Sequence, residues 1–239
     1  MGGIAHFFCK LPKIKDFLRK RGSKLDTTKE KWRNKIMKSI VTLGRQFGSG
    51  GAEIGCALAE RIGAKCYDKE LLLEAARKSG IYESIAEQFD EEGQQSFYYS
   101  LVTNGQVSNN NRYQPINVKL HNDLFQLIRN IADKDESTVF IGRCADYVLQ
   151  EREDLLKVYI KADLDYRINR IAKKYKMTET DAYKLIQRRD MQREAYYNYY
   201  TNKKWSDVGG YDLVVNSADL GVDGVIDIII EYLKIKGRK

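Results

Sequence analysis

Residues 40–55 of this chain, Ile-Val-Thr-Leu-Gly-Arg-Gln-Phe-Gly-Ser-Gly-Gly-Ala-Glu-Ile-Gly, constrain its fold more than any other stretch. Ile40, Val41 and Leu43 supply the β-branched and apolar residues of a central strand. Gly48, Gly50 and Gly51 follow, a turn in which backbone N–H groups can approach an anion with no Cβ in the way. From Ala52 the period changes: Ile54, Leu58 and Ile62 share a helical face, and Gly63 is the stop. The turn therefore sits at a helix N-terminus, where unsatisfied N–H groups and the dipole favour a negative charge by roughly 0.3 to 1 kcal/mol. The layout is that of a phosphate-binding loop, and equally that of a tight turn with no ligand.

The loop departs from the usual pattern G-x-x-x-x-G-K-[ST], in which the lysine reaches the β- and γ-phosphates and the hydroxyl holds magnesium. With Gly50 on the second glycine, Arg45 takes the first glycine's place, Gly51 the lysine's and Ala52 the hydroxyl's. Both side chains that carry chemistry are missing from their positions.

The length, 239 residues, suits one sizeable α/β core with an insertion. No run of 18 apolar residues and no signal-peptide pattern is present, so the expectation is a cytoplasmic protein. Cys9, Cys56, Cys66 and Cys144 lack ligand spacing, and His6 and His121 are the only histidines, so no metal ligands are assigned and the thiols read as reduced. The net charge of +8 is concentrated: residues 1–38 hold twelve Lys and Arg against three acids, and the remainder is nearly neutral. Phe7, Leu11, Ile14 and Leu18 recur at helical spacing within that basic stretch, interrupted by Pro12. Residues 1–36 are expected to form an extension that either contacts an acidic surface or docks loosely by its apolar stripe.

Four further strands are predicted, at Ala64–Tyr67, Ser137–Gly142, Leu155–Ile160 and Tyr211–Val215. Helices are expected from Asp68 through Ala76, near Val118–Ile131, after Asp163 as a cap, from Thr178 with Asp181 as a capping pair, and over Val222–Leu233. Residues 81–115 are polar and without period, which marks a functional or disordered loop. Arg143 and Asp146 fall at the carboxyl edge of the third strand, where open α/β sheets bind ligands. Arg189 and Arg193 share a helical face, and Tyr196-Tyr-Asn-Tyr-Tyr200 with Trp205 form an aromatic group expected to pack that helix onto the body. A nucleic-acid role for these rings is disfavoured by the near-neutral body.

Three motifs in order carry a resemblance: the loop itself, Tyr67-Asp-Lys-Glu-Leu-Leu72, and Ile141-Gly-Arg-Cys-Ala-Asp-Tyr147. Together they resemble the cytidylate kinase-like family over about residues 37–235. The resemblance implies the nucleoside monophosphate kinase fold, a P-loop NTPase-like α/β/α arrangement around a five-stranded parallel sheet. It divides residues 37–239 into a body, an acceptor-binding insertion at about 69–135 and a lid at about 163–205.

It further implies an ATP-dependent phosphotransferase using Mg2+, with a small acceptor, above all a nucleoside monophosphate such as CMP. On that basis Arg45, in place of the absent lysine, and the lid residues Arg170, Arg189 and Arg193 are expected to be catalytic. Gly48, Ser49, Gly50, Gly51, Ala52 and Arg167 would hold the donor nucleotide. Asp68, Arg143, Asp146, Arg188 and Asp190 would meet the acceptor, although two extra residues separate Arg143 from Asp146 relative to the family's Gly-Arg-Asp motif. Two rivals stand: a nucleotide-binding regulator with little transferase activity, and a kinase of a non-nucleotide small molecule.

Overall fold

The computed structural model describes residues 38–68, 77, 118–134 and 136–237. The expected basic extension, the helix opened by Asp68 and the polar segment 81–115 lie outside the described residues. The described elements are β1 (Ile40–Arg45), α1 (Gly51–Ile62), β2 (Lys65–Tyr67), α2 (Val118–Ala132), β3 (Thr138–Ile141) and the short α3 (Ala145–Val148). They continue with β4 (Leu155–Lys161), α4 (Leu164–Tyr175), α5 (Glu179–Thr201), a 3-10 turn (Val208–Gly210), β5 (Leu213–Asn216) and α6 (Ser217–Lys236).

The strands form one parallel sheet in the order β2-β3-β1-β4-β5. β1 lies at its centre, with Ile40, Val41 and Leu43 fully buried, as an apolar strand covered on both faces must be. Side chains alternate between the two faces. Val41, Leu43, Val139 and Ile141 meet α1 and α6 through Ile54, Leu58, Val225 and Ile229. Ile40 and Phe140 meet α2 and α3 through Leu124, Ile128 and Ala145. These two cores make the three-layer α/β/α, P-loop NTPase-like fold.

β1 runs on to β2 on one side, whereas its neighbour β3 runs on to β4 on the other. The carboxyl ends of β1 and β3 therefore form a switch point, the crevice where such sheets receive ligands. α4 and α5 carry a small core of their own, Ile171, Ala182 and Ile186, closed by Phe47 from the loop. Thr178 caps α5 by accepting from the Asp181 N–H. Asp163 stands at the N-cap of α4 but makes no capping bond; its Oδ1 instead accepts from the Asn216 side chain at 3.3 Å. The expected closing helix begins earlier, at Ser217, with a non-helical residue at Gly221. No helix among the described residues is long and apolar enough to cross a membrane.

Candidate active site

The loop after β1 is braced from three sides. Gln46 N–H donates to the Ile160 carbonyl at 3.0 Å, and its side-chain oxygen accepts from Ala162 N–H, also at 3.0 Å. Ser217 Oγ, at the head of α6, donates to the Ser49 carbonyl at 2.7 Å. Gly48 (φ 87°) and Gly50 (φ 81°) are in the left-handed region, so the turn needs residues without a Cβ. Gly50 precedes α1 with no side-chain cap, which leaves the first N–H groups of the helix facing the crevice. Ser49 is turned inward: its hydroxyl donates to the Gln46 carbonyl at 2.9 Å, and the residue is 1% exposed.

Arg45 leaves the end of β1 and crosses the place that a loop lysine would occupy. A Cβ on Gly51 would lie 2.6 Å from the Arg45 Cβ and 2.8 Å from its Cγ. A Cβ on Gly142 would collide with the Arg45 guanidinium itself. Two glycines thus make the channel in which Arg45 lies, and its Nη2 meets Asp68 Oδ1 at 3.4 Å. The guanidinium consequently points to the end of β2.

Arg193 reaches back from α5, donating to the Arg45 carbonyl at 2.9 Å with its guanidinium 5.4 Å from the Phe47 ring centre. Arg143 completes the group. It stands in a run of three left-handed residues, Gly142 (φ 70°), Arg143 (φ 63°) and Cys144 (φ 56°), a conformation that non-glycine residues adopt at a cost. Its Nε is buried without a hydrogen-bond partner among the described residues. Burial holds the Arg45 guanidinium below its ordinary range; Asp68 opposes that shift and Arg143 adds to it. Arg193 is pushed down to about 9, first by burial and then by Arg45, and remains charged at neutral pH. Asp68 pairs with Arg45, and Asp190, already bonded to Arg167, lies 3.9 Å from Arg193, so among the described residues the guanidinium groups here outnumber the carboxylates and the surplus of positive charge favours an anion.

A second set of cations lines the cavity from α4 and α5. Arg170 Nη2 pairs with Glu53 Oε2 at 2.5 Å, and its guanidinium lies 3.5 Å from where a Gly50 Cβ would be. Lys174, one turn further along α4, and Arg189 on α5 line the same cavity, whose volume is about 390 Å³. Both anion-attracting sets therefore open on one space. The spacing from Arg170 to Lys174 is the i, i+4 interval of one helix face, a signal for Lys174 that was present in the sequence.

The other expected site residues have different surroundings. Arg167 Nη1 donates to Asp190 Oδ2 at 2.5 Å and to the Phe47 carbonyl at 3.2 Å, while Asp190 Oδ1 accepts from Phe47 N–H at 2.7 Å. Arg167 and Asp190 thus clasp the loop backbone to α4 and α5, and neither lines the cavity. Arg188 is exposed and also off the cavity wall, since one residue along a helix turns the side chain by about 100°. Asp146, in the first turn of α3, does line the cavity, and it accepts from Tyr197 Oη at 2.6 Å. Burial raises its carboxyl above the usual range, and the Tyr197 bond opposes that. The aromatic group packs as expected: Tyr200 stacks on His121 of α2 at 3.8 Å, and Trp205 meets Tyr159 of β4 edge-on at 5.9 Å.

The glycine cradle fits the phosphates of a nucleotide. Protein ligands for magnesium do not come together in the same way, because the Ser49 hydroxyl is engaged with Gln46 and the described residues contain no cluster of three or more metal-ligating side chains.

Comparison with known proteins agrees with this geometry. The chain is similar to the cytidylate kinase of Archaeoglobus fulgidus, 24% identical over 203 residues that cover 83% of this chain and 97% of that protein. It is also similar to the cytidylate kinase of Thermococcus kodakarensis, 32% identical over 127 residues, covering 50% of this chain and 64% of that one. Among solved structures, an uncharacterized protein from Eubacterium ventriosum superposes with a TM-score of 0.61 at 27% identity, covering 82% of this chain and 98% of that chain. The profile of the cytidylate kinase-like family matches residues 40–219. On the strength of that match, which takes in the loop, the five described strands and helices α4 and α5, the chain belongs to the cytidylate kinase-like family of P-loop kinases.

Proposed function

We propose that the protein is an ATP-dependent phosphotransferase whose acceptor is a small anion, a nucleoside monophosphate such as CMP. The observation that carries this reading is the division of the cavity's cations into two sets. Arg170 stands over Gly50, with Lys174 and Arg189 lining the same cavity, and Arg45, Arg143 and Arg193 gather at the ends of β1 and β3, Arg45 paired with Asp68. A donor triphosphate on the loop N–H groups would place its terminal phosphoryl between the sets. An anionic acceptor held by the second set would then lie in line with it. Transfer of the phosphoryl to the acceptor's phosphate oxygen gives ADP and a nucleoside diphosphate, and it asks of the protein positioning and charge neutralisation.

In this reading Arg45 supplies the positive charge that a loop lysine would have carried, displaced toward the acceptor by its pairing with Asp68. Arg189 and Arg193, four apart on α5, would bring charge to both ends of the transfer, and Arg143 would bind the acceptor phosphate. Arg167 and Asp190 act as positioning residues, fixing the lid helices to Phe47. Magnesium, which assists phosphoryl transfer by neutralising phosphate charge, would be carried by the nucleotide's own phosphates. The similarity to archaeal cytidylate kinases favours a pyrimidine nucleotide acceptor.

A specific observation favours a second reading, a nucleotide-binding regulator: the lysine position is Gly51 and the one loop hydroxyl is spent on Gln46. Following ADP release from ATP and magnesium against a panel of nucleoside monophosphates and other small hydroxyl or phosphate acceptors separates the readings. Acceptor-dependent ADP with CMP supports the kinase. ATP binding with no acceptor-dependent turnover would establish the regulator instead.

A further inference from the structure

We infer that Cys56 and Cys66 form a site of reversible oxidation, closing to a disulfide that ties the loop helix to the strand that delivers Asp68. Cys56 lies on α1 and Cys66 on β2, and their Sγ atoms are 3.1 Å apart. A disulfide requires about 2.05 Å, so closure asks for a movement of roughly 1 Å shared between two side chains. Cys56 is exposed and Cys66 half-buried, which makes Cys56 the sulfur that an oxidant meets first. Cys144, by contrast, is buried, and burial raises its thiol well above the usual range, so it is protected and poorly nucleophilic.

The position gives the bond a consequence. α1 carries the glycine loop at its head, and Cys66 is two residues before Asp68, which pairs with Arg45. Joining the two sulfurs fixes the strand end that holds Asp68 to the helix that holds the loop. The remaining link between those elements is the short turn at Gly63 and Ala64, so the closed ring is small and requires no long-range rearrangement.

The chemistry balances with a small-molecule disulfide as oxidant. The Cys56 thiolate attacks one sulfur of the reagent, releasing one thiol and forming a mixed disulfide. The Cys66 thiolate then attacks Cys56 Sγ, expelling the second thiol. Two protein thiols lose two electrons and two protons, and the reagent's sulfur–sulfur bond is reduced to two thiols.

The test uses the full chain treated with oxidised glutathione, read by intact mass and by peptide mapping without reduction. A parallel Cys9→Ser variant identifies any product that involves Cys9. The expected product is monomeric, lighter by two hydrogens, with the Cys56 and Cys66 peptides joined, and is returned to the starting mass by dithiothreitol. Cys66→Ser is expected to stop at a stable glutathione adduct on Cys56. The oxidised wild type is expected to melt at a higher temperature than the reduced form, and Cys66→Ser to show no such rise. Persistence of the glutathione adduct on Cys56 in the wild type, an intermolecular crosslink, or no reaction at Cys56 would each overturn the assignment. None of these readouts depends on phosphotransferase activity.

Discussion

Arg45 and Gly51 exclude one another's alternatives: with Arg45 in place, a Cβ at position 51 would lie 2.6 Å from the arginine's own Cβ. The absent loop lysine and the unusual arginine at the end of β1 are thus one change seen at two positions. Gly51→Lys alone is expected to cost about 1 to 3 kcal/mol through overpacking. Arg45→Gly combined with Gly51→Lys, which removes the Cβ that the new side chain would meet, is expected to recover most of that stability. Thermal melts of the two single variants and the double variant check this, and additive costs would show that the two positions do not compete.

Arg45→Ala in an otherwise unchanged chain tests the catalytic reading. An arginine that neutralises transferring charge is worth on the order of 10³ to 10⁵ in rate. A loss of that size in kcat with the melting temperature held within a few degrees is the expected result. Turnover equal to wild type would remove Arg45 from the mechanism.

The Arg167 and Asp190 pair is a positioning device, with side chains 8% and 19% exposed. Removing one partner leaves a poorly solvated charge, a loss of roughly 3 to 5 kcal/mol. Arg167→Met and Asp190→Asn are each expected to lower the melting temperature sharply. The double variant is expected to be less damaged than the sum, because the orphaned charge is gone. Urea titrations of all four proteins give the coupling directly.

Tyr197→Phe should produce a pH-dependent defect. Burial raises the Asp146 carboxyl above its ordinary 3.8, and the Tyr197 hydroxyl restrains that rise. Without the hydroxyl the folded carboxyl moves higher still, so keeping it ionised at neutral pH costs more. A raised acid favours the folded state below its unfolded pKa and loses that advantage as pH rises through the folded value. The gap in melting temperature between Tyr197→Phe and wild type is therefore expected to be wide at pH 7 and to narrow toward pH 3.8. A gap independent of pH would mean that only packing was lost.

His121 titrates in the opposite sense. Burial, aided by Arg143, pushes it down to about 4 from 6.5, and it is stacked on Tyr200. Stability from the neutral ring is present above pH 6.5 and is lost as pH falls through about 4. A shift of that size corresponds to on the order of 3 kcal/mol. His121→Phe is expected to flatten the stability profile between those limits, measured by denaturant melts across the range.

Much of the site was legible because its signals are local. The glycine turn between an apolar strand and a period change at Ala52, and Arg143 one glycine beyond the buried run Thr138–Ile141, need only neighbouring residues to be read. Asp163 shows the limit: its residue type suits a cap, but the better competing donor, Asn216, comes from a strand end 53 residues away. Lys174, one turn from Arg170 on the same helix face, was within reach of the same local reading, whereas nothing in the immediate sequence of Gln192 distinguishes it from a solvated helix residue, although both line the cavity.

By itself the sequence determined the parallel α/β layering, because apolar runs of strand length alternating with amphipathic helices admit few other ways of burying their surface. It also determined that a glycine turn would stand at a helix N-terminus. Only the tertiary structure decided which arginines face the cavity and which clasp the loop. Arg167 and Arg170 are three residues apart on one helix, yet one is spent on Asp190 and the Phe47 carbonyl, and the other stands over Gly50. Such a division depends on what the opposing elements present to each side chain. For long, flexible cations that is set by contacts with residues 23 to 120 positions away, which no local pattern encodes.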